Sequence, residues 1–360
     1  MNDTQTKPIL VGYTRPELEA LIASWEEKPF RARQLEKWIF EKAARRFEDM
    51  SDLSKLFRQK LQENALISPH EVIQTTTSSD GTTKFLIRLS DGQSVECVTI
   101  VQERRLTACV SSQVGCNVGC PFCATGLSGF RRNLTPAEIV DQFLLMQAAV
   151  NAGAFSEYTD NDRISNIVFM GMGEPLLNYD AVLKSIEILN RQVGIGIRRI
   201  TISTSGVIPR IERLMQEPRD YSLAISLHSV NPSVRDELVP INKKYTVDEL
   251  LKVTRRYTET TGRRVTFEYT MLEGYNSSLQ DAEALAKAIK GIHCHVNLIA
   301  YNPVGSKFQA PPRAEILAFQ NVLAQAGFPV TIRQNHGQDD MAACGQLRIQ
   351  SAEIPLPTVI

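Results

Sequence analysis

The chain has 360 residues, 43% hydrophobic and 22% charged, with 40 basic and 40 acidic side chains. Its length allows one large domain and a smaller one, and its zero net charge excludes a global attraction to polyanions, leaving only local basic faces for nucleic acid. The amino-terminal residues lack the apolar core and cleavage site of a secretory signal and no stretch approaches the ~20 apolar residues of a membrane span, so a cytoplasmic protein without membrane contact is expected.

Residues 1–63 read as a helical module, with Leu35, Trp38, Ile39, Leu53, Leu56 and Phe57 at helical spacing. From 64 to 106 the pattern changes to strands, and 84–89, the turn Ser90-Asp91-Gly92 and 94–101 predict a β-hairpin. From 107 to 350 strand and helix alternate. The strands are expected at 107–112, 166–170, 199–204, 222–228, 265–271 and 295–301. The helices are expected at 136–150, 180–190, 208–216, 247–260, 281–289 and 313–326. Thr135-Pro136-Ala137-Glu138 supplies a cap hydroxyl, a proline at the first helical position and a glutamate that completes a capping box, and Thr246 with Glu249 repeats the logic. The run Ile167-Val168-Phe169-Met170 is continuously apolar, as in a parallel sheet covered on both faces. Together these units predict an α/β fold, a partial (β/α)6 barrel with a tail at 351–360. In such barrels the chemistry sits at the C-terminal ends of the strands.

Seven cysteines, an odd number in a reducing compartment, favour metal or redox chemistry over a disulfide framework. Three of them, Cys116, Cys120 and Cys123, follow the first predicted barrel strand at Cys-x3-Cys-x2-Cys spacing. Three thiolates leave one iron of a cubane cluster without a protein ligand, and an open iron can bind an amino-acid amine and carboxylate. Structural zinc, with Cys344 or a histidine as fourth ligand, remains an alternative. After the second strand comes Gly171-Met172-Gly173-Glu174-Pro175. Its glycines allow close backbone approach to a ligand, and Glu174 can accept hydrogen bonds from an ammonium group. Basic doublets recur at Arg131-Arg132, Arg198-Arg199, Lys243-Lys244 and Arg263-Arg264; Arg131, Arg132, Lys243 and Lys244 are candidates for phosphate contact.

The cysteine spacing, with Phe122 before the third cysteine, resembles the radical S-adenosylmethionine superfamily. Longer matches resemble the RlmN/Cfr family of RNA methyltransferases within it. They are Phe30-Arg31-Ala32-Arg33-Gln34-Leu35, Cys109 through Cys116, Gly129-Phe130-Arg131-Arg132-Asn133-Leu134, Ile167 through Leu176, Ala224-Ile225-Ser226-Leu227-His228, Arg235 through Lys243, and Ala342-Ala343-Cys344-Gly345-Gln346-Leu347. The resemblance implies a radical S-adenosylmethionine barrel, a [4Fe–4S] cluster on Cys116, Cys120 and Cys123, and two S-adenosylmethionine molecules per turnover. It implies Phe122, Gly173, Glu174, Ser205, Leu227, His228, Ser229 and Asn302 as cofactor contacts. Cys344 matches the cysteine that carries the methyl group, Cys109 the cysteine that releases product through a disulfide, and Glu96 the base that removes the ring proton. The implied substrate is an adenine in 23S rRNA and in tRNA, methylated at carbon 2, with methylation at carbon 8 of an rRNA adenosine as the alternative within the family. The implied partners are these RNAs and an electron donor such as flavodoxin or ferredoxin, acting on a monomer. A zinc-stabilised RNA-binding factor is the alternative outside enzymes. His336 departs from the pattern, standing where the family commonly has arginine. Cys97 and Cys294 match no motif and read as packing residues.

Overall fold

The computed structural model describes residues 7–103, 105–219, 221–333, 337 and 341–348; His336 lies outside the described residues. The amino-terminal helices form around the apolar spacing. Helix α1 (Arg15–Ser24) starts from a capping box of Thr14 and Glu17. Helix α2 (Phe30–Glu36) runs into a π-helical turn over Lys37–Glu41, and α3 (Lys55–Asn64) follows. Leu35, Ile39, Leu53 and Phe57 are buried, whereas Leu56 is 81% exposed and Trp38 only half-buried.

Four antiparallel strands come next: β1 (Glu71–Thr77), β2 (Thr83–Arg88), β3 (Ser94–Gln102) and β4 (Arg105–Cys109). β2 and β3 are the predicted hairpin. A short ribbon of β5 (Gln113–Gly115) and β6 (Phe130–Asn133) brackets the small helix α4 (Ala124–Leu127). The alternating part follows as α5 (Pro136–Asn151), β7 (Asn166–Phe169), α6 (Tyr179–Arg191), β8 (Ile200–Thr204), α7 (Ile208–Leu214), β9 (Ser222–Ser226), α8 (Pro232–Leu238), α9 (Val247–Thr261), β10 (Val265–Met271), α10 (Leu279–Ala288), β11 (Cys294–Ala300), α11 (Arg313–Gln325) and β12 (Val330–Arg333).

All of these strands except the β5–β6 ribbon form one ten-stranded sheet in the order β1-β2-β3-β4-β7-β8-β9-β10-β11-β12. From β4 onward every pairing is parallel. β1 and β12 are its edges, so the barrel is partial, as expected. Two features go beyond the reading of the sequence. β12 adds a further parallel strand after the six expected. The hairpin also continues the barrel's own sheet, because β3 pairs with β4. Segment 341–348 then crosses back from β12 toward the hairpin. The Met341 carbonyl accepts from Lys84 Nζ at 3.4 Å, and the Arg348 amide donates to Glu96 Oε2 at 2.9 Å.

A buried polar junction joins the amino-terminal region to α5. Asp141, with a side chain 1% exposed, accepts from Arg45, from the Ser68 hydroxyl and from His70 Nδ1 at 3.1 Å. Among the described residues no helix is long and apolar enough to cross a membrane.

Candidate active site

The parallel strands all end on one rim, where an open cavity of about 1010 Å³, counted with the solvent at its mouth, is lined by Cys116, Cys120, Cys123 and Cys344 together. The cysteine loop owes its shape to glycines. Gly115 has φ +77°, and a Cβ there would lie 1.8 Å from the Gly129 carbonyl oxygen. A Cβ on Gly126 would lie 2.6 Å from the Cys120 carbonyl oxygen, so α4 can pack against the loop only with glycine there. Burial pushes the Cys116 thiol up to about 12 and Cys120 well above its ordinary value, with Cys123 adding to both. The backbone at Val118 and Gly119 opposes the rise at Cys116. Desolvated thiols crowded this way are relieved when a metal takes their protons.

The residues fit a [4Fe–4S] cluster. Each of its protein-bound irons takes one thiolate, leaving one iron for another ligand. Among the described residues no three His, Cys, Asp or Glu side chains are grouped to hold one ion.

The glycine turn after β7 works differently from the expectation. A Cβ on Gly171 would lie 2.7 Å from the Val110 carbonyl oxygen, and one on Gly173 (φ +102°) 2.6 Å from Gln113 Cβ. The close approach is therefore to the chain's own segment leading into the cysteine loop. The Met172 amide donates to Ser111 Oγ at 2.8 Å and the Glu174 amide to Gln113 Oε1 at 2.9 Å. Gly173 still lines the cavity, as does Glu174. Glu174 is 3% exposed. Its Oε2 accepts from both the amide and the hydroxyl of Ser205 at 2.7 Å, and its Oε1 from the Leu176 amide at 3.0 Å. Burial raises its pKa, and the Ser205 bonds oppose the rise.

His228 lines the same cavity in a left-handed backbone conformation, φ 58°. Its ring meets Phe122 edge-on, with centroids 5.0 Å apart. Burial, helped by Arg235, drops its pKa to about 3, so the ring is neutral at physiological pH. Nδ1 accepts from the Thr270 amide at 3.0 Å, which puts the ring proton on Nε2. Asn302 lines the cavity and donates to the Cys344 carbonyl at 3.1 Å. Leu227 and Ser229 do not line it. Leu227 is buried in the main core, and Ser229 Oγ accepts from the Asn231 amide at 3.1 Å, shaping the turn into α8.

Cys344 is accessible, but its accessible face opens into a cavity walled by protein. Burial raises its thiol, and Arg333 opposes the rise. Its segment is pinned to the cysteine loop: the Ala124 amide donates to the Gly345 carbonyl at 2.8 Å, and Thr125 Oγ1 donates to the Leu347 carbonyl at 2.5 Å. Cys109 ends β4 and is 7% exposed, behind the cavity lining. Burial carries its thiol to about 12, with Cys344 adding and Arg333 opposing. All seven cysteines are free thiols. Glu96 on β3 is fully buried beneath segment 341–348 and does not line the cavity. Burial raises its pKa, opposed by the Arg348 amide and by Lys84.

Reading the sequence missed three residues of this site. Arg333 on β12 lines the cavity, and Glu268, Cys344 and Cys109 all favour its charge. Glu268 lines it too and accepts from Asn297 Nδ2 at 2.9 Å. Arg235, fully buried, donates to the carbonyls of Ser205 at 2.7 Å, Leu227 at 2.9 Å and Ser226 at 3.2 Å, and to Asn242 Oδ1 at 2.9 Å. Arg235 stood inside a quoted motif; nothing local marked its role. Arg132, a candidate phosphate contact, is spent within the protein. Its guanidinium bonds Asp91 Oδ2 at 2.7 Å and both oxygens of Glu138 at 2.8 and 2.9 Å.

Comparison with known proteins shows the family. The family model of the radical SAM superfamily matches residues 110–289, and that of the ribosomal RNA large subunit methyltransferase N-terminal domain matches residues 9–67. The dual-specificity RNA methyltransferase RlmN of Magnetococcus marinus is 48% identical over 94% of this chain and 94% of its own. A probable dual-specificity RNA methyltransferase RlmN of Thermotoga neapolitana is 46% identical over 95% and 97%. The crystal structure of a radical SAM methyltransferase from Sphaerobacter thermophilus superposes with a TM-score of 0.89 at 43% identity, covering 95% of this chain and 99% of that one.

Proposed function

The chain belongs to the RlmN family of radical S-adenosylmethionine RNA methyltransferases, and from that premise we propose that it methylates carbon 2 of an adenine in 23S rRNA and in tRNA through a methylated Cys344. The observation that carries the reading is the placement of Cys344 in one cavity with Cys116, Cys120 and Cys123. Carbon 2 of adenine is electrophilic, so a methyl cation donor cannot attack it and the methyl must arrive as a radical. When bound on those three cysteines, the cluster supplies the electron that splits S-adenosylmethionine into methionine and a 5′-deoxyadenosyl radical, and a one-electron donor such as flavodoxin or ferredoxin recharges it.

The chain's own residues then do the following. The Cys344 thiolate takes a methyl group from a first S-adenosylmethionine by displacement; Arg333 opposes the burial penalty on that thiolate. Phe122, Gly173, Glu174, Ser205, His228 and Asn302, all at the cavity, hold the second molecule or the walls around it. Leu227 and Ser229 act from outside the lining, by shaping the strand end that presents His228. Hydrogen loss from the Cys344 methyl gives a carbon radical that bonds to the base. Glu96 accepts the ring proton once substrate displaces the segment that covers it. Cys109 attacks the Cys344 sulfur and breaks its bond to the new methyl carbon. The unpaired electron of the adduct passes to a one-electron acceptor of the class that serves the cluster, the Cys109 thiol proton goes to the released methylene carbon and completes the methyl group, and the two sulfurs end as a disulfide that a thiol reductant reopens.

The test is mass spectrometry of rRNA and tRNA nucleosides from a deletion strain with and without the gene restored. Loss and recovery of 2-methyladenosine in both pools is expected. Loss of 8-methyladenosine instead, or no change in either, refutes the assignment.

A further inference from the structure

Lysine is seldom buried, and an ionised carboxylate without a partner is costly in a protein interior. Lys84 and Glu96 are both placed beneath the segment that carries Cys344, with side chains 12% and 1% exposed. The strand register puts them there. Lys84 stands opposite Val98, and Val98 stands opposite Cys109, so Lys84, Val98 and Cys109 share a face across three strands. Glu96 lies two residues from Val98 and faces the same way.

Lys84 Nζ is 3.3 Å from Glu96 Oε1 and donates to the Met341 carbonyl at 3.4 Å. Glu96 Oε2 accepts from the Arg348 amide at 2.9 Å. Both ends of segment 341–348 are thus tied to one ion pair. Oε1 has no aligned hydrogen bond among the described residues, so it is the oxygen with room for a proton. The charged groups around the carboxylate are Lys84 from β2 and Arg348 from the crossing segment. Met172 and Ser111 meet only the Glu96 backbone, as acceptor of its amide at 3.3 Å and donor to its carbonyl at 2.6 Å. Cys97, the neighbouring titratable group on β3, points to the opposite face.

We propose that Lys84 is a positioning residue for the methyl transfer: it holds Glu96 ionised as a proton acceptor and aligns it with the Cys344 segment. The proposal rests on the reading of Glu96 as the base. Burial favours the protonated form of the carboxyl, and a protonated carboxyl takes up no ring proton. An ammonium group within about 4–6 Å favours the ionised form by roughly 1–3 pH units, which is what an acceptor in a closed site requires.

The experiment follows decay of the covalent protein–RNA adduct in single turnovers with 23S rRNA transcripts, on denaturing gels, across pH. The variants are Lys84→Met, Lys84→Arg and Glu96→Gln. In Lys84→Met the midpoint of the rising limb should move up by about 1–3 pH units, with the rate recovering at alkaline pH. Lys84→Arg should return the midpoint toward that of the unsubstituted enzyme. A lysine that merely anchored the loop would lower the rate at every pH and leave the midpoint in place. That result, or an unchanged profile, overturns the proposal. If Lys84→Met cannot be purified folded, an unmoved midpoint in Lys84→Gln does so equally. A normal adduct decay in Glu96→Gln refutes the base reading itself, a separate failure.

Discussion

Arg235→Met should loosen the floor of the site more than any single change at the rim. The guanidinium is fully buried and makes four hydrogen bonds, to three carbonyls at the ends of β8 and β9 and to Asn242. Burial lowers its pKa to about 10, with Cys120 and Asp236 opposing the drop, so it stays charged at neutral pH. Methionine keeps much of the volume and removes every donor. Hydrogen bonds to a charged group contribute about 1.5–3 kcal/mol each, and acceptors left unsatisfied add their own penalty. The bonds share one side chain and are not additive, so the loss is about 5 kcal/mol. For 360 residues the unfolding entropy is about 0.76 kcal/mol/K, which converts that loss to a fall of about 7 °C in Tm. The same carbonyls belong to Ser205 and to the residues just before His228, so S-adenosylmethionine affinity should fall about tenfold or more. Arg235→Lys should recover only part of both, since an ammonium lacks the planar fork. Differential scanning fluorimetry and titration calorimetry of the cluster-loaded protein measure the two effects. A fall in Tm below about 2 °C with affinity unchanged would refute the argument.

Three further substitutions test other parts of the structure. Cys344→Ala should release RNA unmodified, whereas Cys109→Ala should still load the methyl and then stall as a protein–RNA conjugate; denaturing gels of both variants purified from cells decide it, and conjugates in both or neither would break the division of labour. Asp141→Asn should cost about 3 kcal/mol at pH 7, as loss of a buried ion-pair partner does, or about 4 °C in Tm. Burial pushes the Asp141 carboxyl up, but His70, Arg45 and Ser68 together hold it below its ordinary value. Its contribution is therefore complete above the unfolded pKa of about 3.9 and is lost as pH falls through the lower folded value. Melting curves should show the difference narrowing in acid; a gap that persists there would contradict the assignment.

What could be read from the sequence was local. The cysteine loop and the turn at Gly171–Gly173 are runs of consecutive residues, so they stand out in the sequence, although spacing alone left zinc and a cluster both open for the cysteines. The capping boxes at Thr135 and Thr246 set two helix starts correctly. The rest depends on which strands become neighbours. β12 is four residues long and only half-buried, too short and too mixed to stand out, yet it delivers Arg333 to the cavity. Lys84 meets Glu96 only through the pairing of β2 with β3. Arg132 looked free beside a basic neighbour, but the hairpin turn brings Asp91 to it and the start of α5 brings Glu138. The glycine turn shows the same limit: its need for glycine was legible, while the partner that demands it, the Val110–Gln113 backbone, was not.

The distribution of charge follows from the same topology. Arg198 and Arg199 immediately precede β8, and Arg263 and Arg264 immediately precede β10. Strands of a parallel sheet all start on one side, so these doublets lie at the end of the barrel opposite the cysteines. Arg131 sits on β6, beside Gly129, whose carbonyl accepts from the Cys116 amide at 3.0 Å. Lys243 and Lys244 are exposed and follow Val239, which lines the cavity. Among the described residues, these three of the eight doublet residues are near the rim and outside any ion pair, whereas Arg132 is held by Asp91 and Glu138. These doublets thus add little to the salt dependence of RNA binding, since each phosphate contact contributes roughly 0.7–0.9 to the slope. On the proposed function, the target base must be unstacked to reach Cys344, at a cost of a few kcal/mol. A chain with zero net charge is thereby spared tight, indiscriminate binding to the bulk of cellular RNA.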